Sequence, residues 1–204
     1  MITIIDYGLG NIRAFVNVYN KLNIPITIAK TTDDLKKATK VILPGVGAFD
    51  HAMERLDKSG MRHTLDEIVL ERRLPVLGIC VGMQMLARSS EEGKLEGLGW
   101  IDAEVRKFDL SSFAYAACVP HMGWNNVKPV VETNLFKGLN HDALFYFLHS
   151  YYIHCRKRED VLAVSDYGDE FACAVNSENI YGVQFHPEKS HQWGMQLLKN
   201  FADL

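Results

Sequence analysis

The chain has 204 residues, 48% hydrophobic and 23% charged, enough for one buried core and with no shift in composition that would divide it. A net charge of −3, with lysines and arginines scattered among acids, leaves no basic stripe for nucleic acid. The four cysteines lie far apart with no C-x-x-C pair, which excludes a disulfide framework and a zinc ribbon.

No apolar run approaches the roughly 18 residues of a membrane helix, and the first six residues lack the basic flank of an export signal. A single cytoplasmic domain spanning 1–204 is the expectation. Residues 2–6 read as a first strand, 7–10 as a turn and Asn11 as a helix N-cap, with Ile12, Phe15, Val16, Tyr19 and Leu22 at helical spacing. Residues 25–29 form a second strand, Thr31 opens a short helix, and residues 41–43 form a third strand running into Pro44-Gly45-Val46-Gly47. Residues 61–72 predict a helix that leads into a fourth strand ending at Cys80.

Short, uniformly apolar strands alternating with helices predict an α/β fold: an open, mostly parallel sheet with helices on both faces. From residue 100 the rhythm changes. Strand-like runs at 100–101, 103–108, 144–148, 151–155, 161–165 and 171–175 predict a mixed or antiparallel extension, closed by an amphipathic helix carrying Trp193, Leu197, Leu198 and Phe201. The glycines near residues 8 and 45 lack a dinucleotide fingerprint, since position 13 is Arg13, and no Gly-Lys-Ser/Thr occurs.

Gly78-Ile79-Cys80-Val81-Gly82 is the cysteine form of a strand-to-helix elbow, expected to lead into a helix over 81–87. A thiol at that turn sits at a helix N-terminus, and the Val81 N–H is placed to bind an oxyanion. A thiol nucleophile needs a base, and Val183-Gln184-Phe185-His186-Pro187-Glu188 supplies His186 with Glu188 placed to orient it. The remaining histidines have no metal spacing, so neither a metal nor a cofactor is assigned.

Those motifs, with Asp6-Tyr7-Gly8, Pro44 to Phe49, Pro120-His121-Met122-Gly123-Trp124-Asn125 and His149-Ser150-Tyr151, resemble the class I (triad) glutamine amidotransferases over the whole chain. Within that family they are similar to the glutaminase subunits of imidazole glycerol phosphate synthases. The resemblance implies a flavodoxin-like fold and hydrolysis of L-glutamine through a thioester on Cys80, with ammonia passed to a (β/α)8-barrel cyclase subunit in a heterodimer. It implies an oxyanion hole from Val46 and Val81, glutamine held by Gly47, Gln84, Glu92, His149 and Ser150, and a partner-facing set of Tyr7, Asn11, His121, Met122, Trp124 and Lys189, with residues 121–125 as an interface loop. The run Trp100 to Val105 departs from the family pattern and resembles paralogues that supply ammonia for amidotransfer onto surface-polysaccharide sugars. A stand-alone hydrolase of γ-glutamyl bonds is a further reading of the same residues.

Overall fold

Apolar strands and amphipathic helices alternate through the first half as their periods predict. The computed structural model describes residues 1–112, 118–139 and 142–204. The elements are β1 (Ile2–Ile5), α1 (Ile12–Lys21), β2 (Ile26–Ala29), α2 (Thr32–Leu35), β3 (Lys40–Gly45), α3 (Phe49–Lys58), α4 (Arg62–Asp66), β4 (Val76–Cys80) and α5 (Val81–Gln84). There follow β5 (Ser89–Ser90), β6 (Ala103–Lys107), β7 (His121–Asn126), β8 (Lys128–Pro129), β9 (Leu144–His149), β10 (Tyr151–Cys155), β11 (Val161–Tyr167), β12 (Asp169–Ser177), β13 (Ile180–Val183) and α6 (His191–Asp203).

Local chemistry accounts for the helix starts. Asn11 accepts a hydrogen bond from the Ala14 N–H, and Thr31 with Asp34 forms a reciprocal capping box at α2. α4 runs on as a π-helical turn over Glu67–Glu71, which sequence period does not reveal.

The main sheet runs β2-β1-β3-β4-β13-β12-β10-β6-β5, with β11 paired to β12 and β8 paired to β11. β1, β2, β3, β4 and β13 are mutually parallel along this path, whereas β12, β10 and β6 form antiparallel ladders. β7 and β9 form a separate antiparallel pair. β1, β3, β4 and β13 are buried almost throughout, as sheets covered on both faces must be, while the edge strand β2 is only partly buried.

β4 is therefore central. β3 pairs with it on one side, with Gly45 opposite Cys80, and β13 on the other, with Val183 opposite Ile79. This register sets Val46 just beyond Cys80 on one side and, on the other, carries Gln184 level with it and His186 past it. Among the described residues no helix is long and apolar enough to cross a membrane.

Two expectations, about the segment after Cys80 and the segment bonded to it, fail for identifiable reasons. The helix after Cys80 stops at Gln84, because the Met85, Leu86 and Ala87 carbonyls accept from the N–H groups of Leu98, Ile101 and Gly99 instead of continuing the helix. The same bonds hold Trp100 and Ile101 in a bend rather than a strand.

Candidate active site

Cys80 ends β4 with φ 55° and ψ −114°, a strained conformation at the turn into α5. The strain is held by close packing of backbone on backbone. A methyl group on Gly82 would collide with the Leu43 carbonyl oxygen, and one on Gly78 would lie 2.7 Å from the Gly82 carbonyl oxygen. The first N–H groups of α5 have no partner within the helix, so Val81 offers a donor beside the sulfur.

The chain that continues β13 delivers the base. His186 is buried, its Nδ1 lies 2.9 Å from Glu188 Oε1, and the second carboxylate oxygen of Glu188 is buried with no protein partner. Among the described residues, the side-chain hydrogen bonding of Glu188 is thus directed at His186. Burial alone lowers the basicity of His186, but hydrogen bonds and charge interactions with Cys80 and Glu188 outweigh it and raise the pKa to about 10.

Cys80, His186, Val46, Val81, Gly47, Gln84, Glu92, His149, Ser150 and Lys189 line one cavity of about 310 Å³, together with Pro120, Leu148 and Tyr151. Every residue expected for catalysis, the oxyanion hole or glutamine binding therefore reaches the same space except Glu188, which stands behind His186 and does not line it. Within it Glu92 is more than a surface acid, since its carboxylate accepts the Phe49 N–H at 2.9 Å and caps α3. Gln84 is buried and donates to the Tyr151 carbonyl and to Gln184 Oε1, each at 3.0 Å. His149 Nδ1 donates to the Tyr151 carbonyl at 2.8 Å, so its Nε2 accepts from His121 Nδ1 at 3.0 Å. Burial lowers the pKa of His149 to about 3 and of His121 to about 4, so both rings are neutral.

The expected partner-facing set divides. Met122 is 65% and Trp124 46% exposed, and Lys189 is exposed with its ammonium 5.5 Å from the centre of the Tyr146 ring. Asn11 is exposed as the α1 cap. Residues 121–126, however, form strand β7 and not a loop, because six residues pair in register with β9. On a strand alternate residues face opposite ways, so His121 turns inward, where it stacks on Tyr167 and Phe147 and is buried. Tyr7 is buried too, and its hydroxyl donates to the Pro44 carbonyl at 2.7 Å. Neither His121 nor Tyr7 presents a surface to a partner. On the outer face of the β7–β9 pair Met122 lies opposite Leu148, Trp124 opposite Tyr146 and Asn126 opposite Leu144. Leu144, Leu148 and Val46 add exposed apolar surface to it.

Among the described residues no three His, Cys, Asp or Glu side chains gather as a metal site requires. Two polar residues of the site escaped the sequence reading: Gln184, wholly buried beside Cys80, and Tyr151, whose carbonyl joins Gln84 to His149. A glutamine between Val183 and Phe185 on a buried strand end is the signal, since a buried amide must find partners.

Residues 3–204 match the family model for glutamine amidotransferase class-I. The chain belongs to that family. This amidotransferase is 60% identical over 204 residues, all of both chains, to the imidazole glycerol phosphate synthase subunit HisH of Bdellovibrio bacteriovorus. It is 52% identical, again over all of both chains, to the protein of the same name from Leptospira interrogans. A solved glutamine amidotransferase of 19% identity superposes with a TM-score of 0.76, covering 99% of this chain and 97% of the other, a likeness of fold.

Proposed function

We propose that this amidotransferase is the glutaminase subunit of an imidazole glycerol phosphate synthase, releasing ammonia from L-glutamine for a (β/α)8-barrel cyclase subunit in cytoplasmic histidine biosynthesis, with 1–204 acting as one domain. The observation that carries the reading is the meeting of Cys80, on its strained turn, with a Glu188-oriented His186 delivered by the neighbouring parallel strand. The Cys80 thiolate attacks the side-chain amide carbon and the oxygen takes up the charge, bound by the N–H groups of Val81 and Val46. The carbon–nitrogen bond then breaks, and the His186 imidazolium gives its proton to the departing nitrogen, which leaves as ammonia. Water, surrendering a proton to His186, cleaves the thioester, and glutamate departs.

Val46 is bounded by Gly45 and by Gly47 at φ 87°, and it is 39% exposed. Its peptide is free to turn, so the second oxyanion donor is set in place by the docked partner. The exposed apolar face of β7 and β9 next to the cavity mouth is where that partner docks, keeping ammonia out of water, where it would be protonated. Asn11 and Lys189 form the polar edge of this face.

The surface-sugar alternative has lost its support. The Trp100 departure that suggested it is a packing feature, with the buried indole donating to Asp66 Oδ1 at 2.8 Å, away from the residues that line the cavity. Replacing Cys80 with alanine tests the central assignment. Glutamine hydrolysis should fall by at least about 10³-fold while the complex still forms product from added ammonia. Retained hydrolysis would place the nucleophile elsewhere.

A further inference from the structure

Gln184 is wholly buried, and each of its amide atoms meets one residue of the glutamine cavity. Its Nε2 lies 3.7 Å from Cys80 Sγ, and its Oε1 lies 3.0 Å from Gln84 Nε2. The orientation of the two amides is fixed by a group that cannot be reversed. The Tyr151 carbonyl can only accept, so the Gln84 atom 3.0 Å from it must be the NH2 group. That NH2 group also faces Gln184, which must present its oxygen there, since two NH2 groups would repel. The Gln184 NH2 group is then left pointing at the sulfur. His149 braces the anchor by giving the same Tyr151 carbonyl a second hydrogen bond at 2.8 Å.

The position of Gln184 follows from the register. β13 lies parallel to β4 with Val183 opposite Ile79, so the next residue along is carried to the level of Cys80, and His186 lies two residues further on. The sulfur has two uncharged polar neighbours of opposite effect. The Leu148 carbonyl oxygen, 3.9 Å away, accepts from a thiol and repels a thiolate, whereas the Gln184 N–H favours the thiolate.

We propose that Gln184 is a positioning residue for glutamine hydrolysis, its one amide steadying the attacking sulfur while turning the Gln84 carbonyl toward the bound substrate. This rests on the assignment of Cys80 as nucleophile. With both Gln84 N–H bonds directed into the protein, the Gln84 oxygen is the atom left for the cavity, where it accepts from a donor of glutamine. The two tasks belong to different steps, since steadying the sulfur acts on bond formation and turning Gln84 acts on substrate binding.

The experiment compares the pH profile of Cys80 alkylation by iodoacetamide, followed at that residue by mass spectrometry, with glutaminase kcat and KM for the protein in complex with its partner. The variants are Gln184→Met, Gln184→Glu and Gln84→Leu. The titratable groups near the sulfur are His186 beyond β13, Tyr7 after β1, neutral His149 on β9, and Glu92 and Lys189 at the cavity rim; none of them is substituted, and only Gln184→Glu adds a group to them. Gln184→Met conserves volume and removes both contacts. It is expected to slow alkylation at neutral pH by about tenfold, move the profile to higher pH and raise KM. Gln184→Glu keeps the acceptor for Gln84 but exchanges the amide donor for a carboxylate that itself repels a thiolate, so the profile moves further toward high pH than in the Met variant while KM stays within about threefold, and it serves if the Met variant does not fold. Gln84→Leu is expected to raise KM and leave the alkylation profile in place.

An alkylation profile in both Gln184 variants that coincides with the parent's, with kcat and KM unchanged, would overturn the proposal. A shift of equal size in Gln84→Leu would overturn it too, by showing a general loosening of the cavity. Failure of the underlying assignment looks different: the Cys80→Ala protein would then still hydrolyse glutamine.

Discussion

Two neighbouring strand ends frame the cavity, and they are built in opposite ways. At the end of β4 the elbow is closed, with Gly78 and Gly82 pressed against backbone, Cys80 strained and Val81 only 5% exposed. At the end of β3 Pro44 and Gly45 are buried, but the chain then opens, with Val46 exposed and nothing within 4 Å of where a methyl on Gly47 would sit. Both ends supply an N–H to the same oxyanion hole in the reading above. In that reading one donor is pre-set by packing and the other turns into place. An enzyme built this way keeps its nucleophile ready while withholding half of its charge stabilisation, which suits a subunit whose ammonia is useful only when an acceptor is in place.

The same substitution at the two ends should separate them. Gly82→Ala drives a methyl into the Leu43 carbonyl, so the elbow must shift, and we expect glutaminase activity to fall to background with a loss of stability of about 3 kcal/mol or more. Gly47→Ala meets no neighbour, but its φ of 87° costs about 1–2 kcal/mol, which biases the open segment without disturbing the fold. Thermal melts and steady-state kinetics on both variants check this. Similar losses at the two positions would erase the distinction between a closed and an open end.

Tyr7 joins the two ends, since its hydroxyl holds the Pro44 carbonyl just before the open segment and also lies 3.6 Å from the Met85 sulfur. Burial, with a smaller contribution from the charge of Cys80, keeps its phenol protonated. Tyr7→Phe leaves a buried carbonyl without its donor, a cost of about 1–3 kcal/mol. We expect a several-fold change in partner-free glutaminase activity and unchanged Cys80 alkylation, because the loss falls on the open side.

The smallest effect is one of pH. The folded-state pKa of His186 is raised from 6.5 to about 10, first by Cys80 and then by Glu188, so the stabilisation it draws from the two together, Glu188's share included, is complete below 6.5 and fades as pH rises toward 10. The gap in unfolding free energy between the parent and Glu188→Gln should therefore narrow over that range, as denaturant titrations would show. A gap that widens with pH would mean that His186 is neutral in the folded protein.

The closed end was legible in the sequence because its cause is local. Two glycines around a cysteine between an apolar strand and a helix describe the elbow in five residues, and His186 with Glu188 needed only the next motif. The residues misread are those whose surroundings are distant in sequence. Tyr7 looked like an exposed turn residue, but its partners Pro44 and Met85 lie 37 and 78 positions away. Strand β7 carries too many polar residues to read as a strand, yet its alternate burial, with His121 inward and Met122 outward, is that of a sheet one residue deep in water. Gln184 was passed over although the motif containing it was identified, because its partners Gln84 and Cys80 are 100 and 104 positions away and meet it only through the β4–β13 register.

The most direct test of the closed and open ends is the rate of glutamate formation by the purified chain alone against its rate with the barrel partner and the partner's ligand bound, at saturating glutamine. A donor missing from an oxyanion hole costs roughly 10²- to 10³-fold, so the rate should rise by that factor on assembly. Full turnover by the isolated chain, with no rise when the partner binds, would mean that Val46 is already in place and would contradict the account.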